Sequence, residues 1–391
     1  MSELSGRKII VVGAGLGGVT TALALRRRGA SVIVLERATA LRQIQVGGGI
    51  HMWPNGLRAL DDVGIFAALR DSIRPEAVMR ESRFETSRGR RIATMPLEED
   101  EAGLPSFAVI RGELHAMLVE ALGDDVIRLG SVVVGLTETD DGIAAQLEDG
   151  RTEAGDALVG ADGLRSVMRQ RLLDDGAPRF AGYSTWTAVT KFEHPAAPPG
   201  IFRVLFGRGG RFVFYPVGGG NVYWEGIRAE SPDGRDAEGG HHAAVLERFG
   251  AWSEPVAELV RATPEEVIVR ADVYDRPASK RWGTGHATLL GDAAHPMTNA
   301  VGQGANQAIE DAIVLARCLA RNDDPAAGLR EYERLRQPRT ASFVRLSHVL
   351  ARTATLRNPI ACAVRDRSLQ LAFPRMLKKQ RQELAYDARA V

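Results

Sequence analysis

Over residues 9–12 the chain is continuously apolar, Ile-Ile-Val-Val. It then breaks into glycines at 13, 15 and 18 and runs on toward Arg28 as an alanine- and leucine-rich stretch at helical spacing. A second apolar run covers 31–35. Short apolar runs bounded by glycine read as strands buried on both faces, so the segment predicts strand, helix and parallel strand. Further helices are expected from Pro54 and over 111–122, where Leu114, Leu118 and Leu122 recur at helical spacing. Strands are expected on either side of a turn at 87–90, at 131–134, at 143–147 and at 157–162. Residues 181–276 change character: four segments beginning at Thr185, Ile201, Arg211 and Asn221 alternate as half-buried antiparallel strands joined by glycine turns. Short helices follow at 241–249 and 255–262, and the chain is expected to return to its first layer near Asp272. A short strand over 288–292 then leads to a loop and a helix with Ala308, Ile309, Ala312, Ile313 and Ala316 on one face, and the tail beyond 340 reads as helical.

The glycines after the first strand carry chemistry. Gly13 permits the tight turn, Gly15 lets backbone approach a pyrophosphate, and Gly18 lets helix and strand pack closely. The helix beginning at Leu16 offers free N–H groups and a partial positive charge. Glu36, with Arg37 beside it, lies where a carboxylate bonds adenosine ribose hydroxyls. This is a dinucleotide fingerprint, indifferent to whether the ligand is NAD or FAD. The later stretch from Gly291 to Asn306 decides for a flavin. Asp292 ends a strand and can accept hydrogen bonds from ribityl hydroxyls; beyond Pro296, the turn through Gly302, Gly304, Ala305 and Asn306 opens a helix. Its N-terminus can stabilise the negative charge of a reduced isoalloxazine. Asp162 likewise ends a strand, at 157–162.

Composition removes other readings. A quarter of the residues are charged and the formal net charge is +1, so nothing favours nucleic acid. The two cysteines, Cys318 and Cys362, fit buried thiols of a cytoplasmic protein. The apolar run near the N-terminus contains the working glycines and is not read as a signal peptide, and no stretch is apolar enough to span a bilayer. The basic segment at 376–381, beside apolar Leu369, Leu371 and Phe373, is expected to be a solvated helix face, with peripheral membrane contact as the alternative. Metal-ligand spacings, GxSxG and CxxC are absent.

Three motifs in order, the glycine fingerprint at 13–18, Val159-Gly-Ala-Asp-Gly-Leu-Arg-Ser at mid-chain and Gly291-Asp-Ala-Ala-His-Pro, resemble those of the single-component FAD-dependent aromatic hydroxylases, nearest the salicylate hydroxylase and 6-hydroxynicotinate 3-monooxygenase branch. The resemblance implies an α/β fold: a discontinuous Rossmann-like FAD-binding domain (1–75, 100–180, 277–340), a mainly antiparallel β substrate domain roofing the flavin (76–99, 181–276) and a C-terminal helical segment (341–391). It implies tightly bound, noncovalent FAD, NADH or NADPH as a transient co-substrate, O2, and hydroxylation of a small aromatic, heteroaromatic or polycyclic molecule through a flavin C4a-hydroperoxide, in a monomer or homodimer. Arg111 resembles the arginine that approaches the FAD pyrophosphate, and Asp162 belongs to a motif tied to flavin and pyridine nucleotide. Arg42 could meet FAD phosphate or the incoming nucleotide, and the glycines ending at Gly49 would let the chain run close to the flavin. His51 stands where some members offer a histidine to the substrate; the other reading is an imidazole satisfied by backbone. Tyr215 is either a donor at the site or a core tyrosine. Epoxidation, Baeyer-Villiger oxidation or reduction on the same fold, and a non-catalytic flavin redox sensor, stay open as alternatives.

Overall fold

The structure is a computed structural model describing residues 3–97, 99–100, 103–139, 142–236 and 240–391, with Asp124 described by its backbone alone. Five parallel strands form the first sheet, in the order Ala287–Leu289, Ala157–Gly160, Lys8–Val12, Ser31–Leu35 and Ile127–Arg128. The glycine-bounded strand Lys8–Val12 is central, and four of its five residues are buried. Helix Leu16–Arg27 packs on helix Gly304–Ala320, and a Cβ on Gly17 would come within 2.8 Å of Leu290 and 3.2 Å of Ala308. The two ends of the chain's flavin-type pattern are therefore one packed layer.

A seven-stranded sheet forms the roof, in the order Val269–Asp275, Arg179–Lys191, Asn221–Ala229, Gly210–Gly218, Ile201–Phe206, Glu81–Thr86 and Arg91–Pro96. The excursion at 81–96 joins it by pairing Glu81–Thr86 parallel to Ile201–Phe206. Strand Gly210–Gly218 is buried along its whole length rather than on one face as its alternation predicts. The reason is that both faces are covered. Phe212, Phe214 and Trp224 pack on helices Gly240–Phe249 and Val256–Arg261, while Val213, Tyr215 and Val217 join a separate cluster with Val204 and Ala351.

Other expectations are corrected. Asp272 lies inside strand Val269–Asp275 of the roof, so the chain returns to the first layer only after Asp275. The strand expected from Ser131 begins at Val133 and belongs to a small antiparallel sheet with Gly142–Leu147 and Thr152–Gly155. Residue 341 is no boundary: helix Pro325–Ala354 runs through it and ties the first layer to the roof. The tail helix Pro359–Leu384 is not simply solvated, because Leu369, Phe373, Met376 and Leu377 line the cavity under the roof.

Candidate functional site

The glycine turn behaves as its backbone demands. Gly13 has φ +102° and a Cβ there would sit 2.5 Å from Ala161 O; on Gly18 it would sit 2.0 Å from Gly13 O. Gly15 is different. Nothing lies within 4 Å of its ideal Cβ, and it starts helix Leu16–Arg27 in extended conformation with no capping side chain. The first-turn N–H groups, Leu16 among them, thus face open space beside a residue without a side chain, which suits an anion. Glu36 holds this loop, accepting from Ala14 N and Ala38 N at 2.7 Å each. Its carboxylate is buried and braces the turn, with lone pairs left for ribose hydroxyls. Arg37 and Arg42 are exposed.

Helix Arg111–Leu122 supports the same loop from behind. His115, one turn beyond Arg111, donates to Ala14 O at 2.6 Å. Arg111 donates through Nη1 to Ile44 O and Val46 O at 2.8 and 2.6 Å. Burial lowers its pKa, and the charge of Asp292 opposes this. Asp292 stands in a short 3-10 turn, Gly291–Ala293, directly after strand Ala287–Leu289. Solvent reaches it, yet protein closes round the carboxyl enough that burial pushes its pKa up against the pull of His295 and Arg111. A Cβ on Gly304 would lie 4.0 Å from Asp292 Oδ1, and helix Gly304–Ala320 also begins without a capping side chain. Pro296 is buried in the connecting loop, Gly302 turns with φ +66°, and Ala305 is half-buried in the first helical turn. The residues at both helix starts fit a dinucleotide with a flavin end: two uncapped N-termini, one with side-chain-free space and the other beside a carboxylate.

Two expected contacts resolve into supports. Asp162 accepts from Ser166 Oγ, Val167 N and Met168 N, capping helix Val167–Leu173 beneath the glycine turn, because its strand ends directly before that helix. Asn306 is fully buried: its Oδ1 accepts from Trp53 N at 3.1 Å and its Nδ2 donates to His51 O at 3.0 Å. Only its backbone is placed toward the helix start. The glycines at 47–49 serve side chains of the protein itself, since a Cβ on Gly48 would lie 2.2 Å from the Tyr223 ring and one on Gly47 2.9 Å from Arg111 Cδ.

Under the roof lies a cavity of about 470 Å³. Gly49 and His51, in strand Gly49–Met52, form one wall. The His51 ring lies 4.0 Å from Trp53 and stacks on Phe202 at 5.5 Å; Phe202 in turn stacks on Tyr215 at 4.6 Å. His51 Nε2 is buried without a partner, and burial pushes its pKa down to about 3. The imidazole is therefore neutral, and a backbone-satisfied ring is not what the strand presents. Burial raises the Tyr215 phenol well above its ordinary range, so it stays a donor. Arg211 and Glu225 pair at 2.7 Å, Asn299 donates to Glu225, and Tyr183 donates to Asn299 at 2.7 Å. Arg211, Glu225 and Asn299 all line the cavity and were not singled out from sequence. The available signal was parity: Arg211 shares its strand face with Val213 and Tyr215, as Glu225 does with Tyr223.

Beneath the cradle sits a buried ion network. Arg336 donates to Glu310 and Asp311 at 2.5 and 2.6 Å, and His295 donates to Asp311 at 2.5 Å, so His295 packs the loop. These partners hold Asp311 down to about 2 despite burial. Among the described residues no group of three His, Cys, Asp or Glu could hold a metal, and no helix is long and apolar enough to cross a membrane.

A family described as an FAD binding domain matches residues 7–347. The chain is 37% identical over 376 residues to an aurachin C monooxygenase/isomerase of Stigmatella aurantiaca, covering 94% of each. It is 38% identical over 376 residues to a 3-amino-4-hydroxybenzoate 2-monooxygenase of Streptomyces cremeus, covering 93% of this chain and 91% of that one. Among solved structures, Klebsiella pneumoniae HpxO complexed with FAD and uric acid superposes with a TM-score of 0.89 at 26% identity, covering 98% of both chains.

Proposed function

Since the chain belongs to the family of single-component FAD-dependent aromatic hydroxylases and is a flavoprotein monooxygenase, we propose that it uses NAD(P)H and O2 to hydroxylate an electron-rich aromatic or heteroaromatic ring held against His51. Bound FAD, reduced by NAD(P)H, supplies one oxygen atom of O2 in electrophilic form, and the other leaves as water. The protein contributes position, polarity and exclusion of water. First-turn N–H groups from Leu16 would meet the pyrophosphate, Glu36 the ribose and Asp292 the ribityl chain. The helix start at Gly304 and Ala305 would oppose negative charge on the flavin ring.

The observation that carries the reading is the unpartnered His51 Nε2 on a wall of stacked rings. A flat ring lying along His51 and Phe202 would present a hydroxyl or ring N–H to that nitrogen. Full proton transfer is disfavoured, because the burial that lowers the imidazole also raises a phenol beside it. His51 thus acts as a hydrogen-bond acceptor that draws the proton away from the ring oxygen, so the ring gains electron density without His51 storing a charge. Tyr215 donates from the adjacent strand, and the Arg211–Glu225 pair with Asn299 orients polar ring substituents.

Anaerobic mixing of the yellow holoprotein with NADH or NADPH, over a panel of phenols, hydroxypyridines and hydroxyquinolines, followed by an oxygen pulse and product mass, tests the proposal. Substrate-accelerated flavin reduction and one added oxygen are expected; reduction without oxygen transfer across the panel sinks it. A second reading, epoxidation of a double bond in an apolar substituent, is favoured by the Leu369, Phe373 and Leu377 side of the cavity. The same assay separates the two by the position of the added oxygen.

A further inference from the structure

Helix Pro359–Leu384 has two apolar faces, and only one is used by the fold. Its inner face carries Cys362, Arg365, Leu369, Phe373 and Met376 at helical spacing. Arg365 is buried over the Phe206 ring, Phe373 meets Phe84, and Leu369, Phe373 and Met376 line the cavity. The helix is pinned at its far end by Arg339, which bonds both the Glu383 carboxylate and its carbonyl at 2.8 and 2.9 Å.

The opposite face needs another explanation. Positions 360, 364, 367, 371, 375 and 378 fall on one stripe of a 3.6-residue helix. They are Ile360, Val364, Arg367, Leu371, Arg375 and Lys378, with no acidic residue among them. Ile360 is 73% exposed, Val364 59% and Leu371 66%, and the three cations are exposed as well. Single exposed aliphatics are ordinary, but three aligned with three cations on a helix are not scattered. The net charge of the whole chain is only +1, so this concentration of positive charge is local. Around the helix from the stripe, Lys379 and Met376 are exposed and also line the cavity, so the cavity reaches the surface at the stripe's edge.

We propose that this stripe seats the protein on an anionic lipid surface and that the cavity receives a substrate dissolved in that lipid. The aliphatics would enter the headgroup boundary while Arg367, Arg375 and Lys378 meet lipid phosphates, the arrangement of an interfacial helix lying in the membrane plane. The apolar cavity wall formed by the same helix then continues the path from lipid toward His51. This substrate route rests on the monooxygenase reading above; the docking does not.

The test is flotation of the FAD-loaded protein with vesicles of phosphatidylcholine alone or with about a third phosphatidylglycerol. Binding to the anionic vesicles only is expected, falling severalfold between about 50 mM and about 500 mM salt. The variants Arg367→Glu with Lys378→Glu, and Ile360→Ser with Leu371→Ser, should each weaken it by roughly tenfold or more. All four positions are exposed, so flavin absorbance and melting temperature should match the parent. Absence of binding to anionic vesicles at low salt, or equal binding by the variants, overturns the proposal. So does a dimer that dissolves in the serine variant, which would make the stripe a self-interface. None of these outcomes depends on turnover, so loss of the lipid proposal and loss of the hydroxylase reading are separable.

Discussion

The cradle and the cavity treat their polar groups in opposite ways. In the cradle, Glu36, Asp162 and Arg111 spend their hydrogen bonds almost wholly on backbone, with Ser166 Oγ the one side-chain partner among these bonds, fixing the loops around Ala14, 44–46 and 166–168. In the cavity, His51 Nε2 and Arg211 Nε are buried without partners. A group whose bonds are made shapes a site, whereas a group left wanting is one a ligand can reward, since an unmet buried polar atom costs about 1–3 kcal/mol. On the proposed function, the difference separates what would position the cofactor from what would select the substrate.

The sharpest way to break that distinction is within one loop. Gly18→Ala should fail to yield folded flavoprotein, because its Cβ would overlap Gly13 O, whereas Gly15→Ala should fold with near-parental melting temperature and weak FAD retention. Equal thermal loss in both would mean the open space at Gly15 is not reserved for a ligand. Next in size, Arg336→Met removes the buried cation that bridges Glu310 and Asp311, leaving Glu310 to Arg339 and Asp311 to His295, and should cost about 3 kcal/mol in denaturant titration. Asp311 is held down to about 2 by His295 and Arg336, so its contribution is complete above the unfolded carboxylate range near 4 and is lost as pH falls toward 2; the variant, which keeps His295, should show a shallower acid limb.

On the cavity side, His51→Gln should lower the hydroxylation rate by about a hundredfold with FAD affinity unchanged, measured by single-turnover product formation. His51 is lowered to about 3, so stability is complete above 6.5 and declines as pH falls from 6.5 toward 3; the glutamine variant should flatten that decline. A kinetic ionisation near 6.5 that vanishes in the variant would mean the ring is not buried as described. Glu225→Gln should raise KM about tenfold while sparing flavin content, a milder loss because Asn299 and Arg211 remain. Smallest, Arg42→Ala should change stability by less than about 0.5 kcal/mol and raise the NAD(P)H KM a few-fold, since Arg42 is exposed.

The same contrast explains what sequence made legible. Gly18 is dictated by a clash with Gly13 O five residues back and Gly13 by its own φ of +102°, both local demands, so spacing alone reveals them. The parallel core follows from apolar runs, and Asp292 from its position after a strand. The pairing of Arg211 with Glu225 needs two strands in register, and Asn299 arrives from the first layer, a separation that no local pattern records. Likewise, the tail helix reads as solvated because cations are interspersed with its apolar residues and no single apolar stripe stands out along it. Only packing against Phe84 and Phe206 shows that it closes the cavity. His115 is one turn from Arg111 and was within reach of helical periodicity, but its partner, Ala14 O, lies a hundred residues away in the chain.

Asn306 has a consequence for how such a site can change over generations. One amide clasps Trp53 N and His51 O while its own backbone begins the helix beside Asp292, and Gly56 leaves room for it, since a Cβ there would lie 2.2 Å from Asn306 Oδ1. The spacing between the His51 backbone and the helix start is thereby written into a single side chain. Roof residues such as Val204 and Val213, which line the cavity, can therefore be redesigned for a new ring shape without breaking that clasp. The clasp makes the scaffold modular, with that spacing inherited and its taste in substrates free to wander.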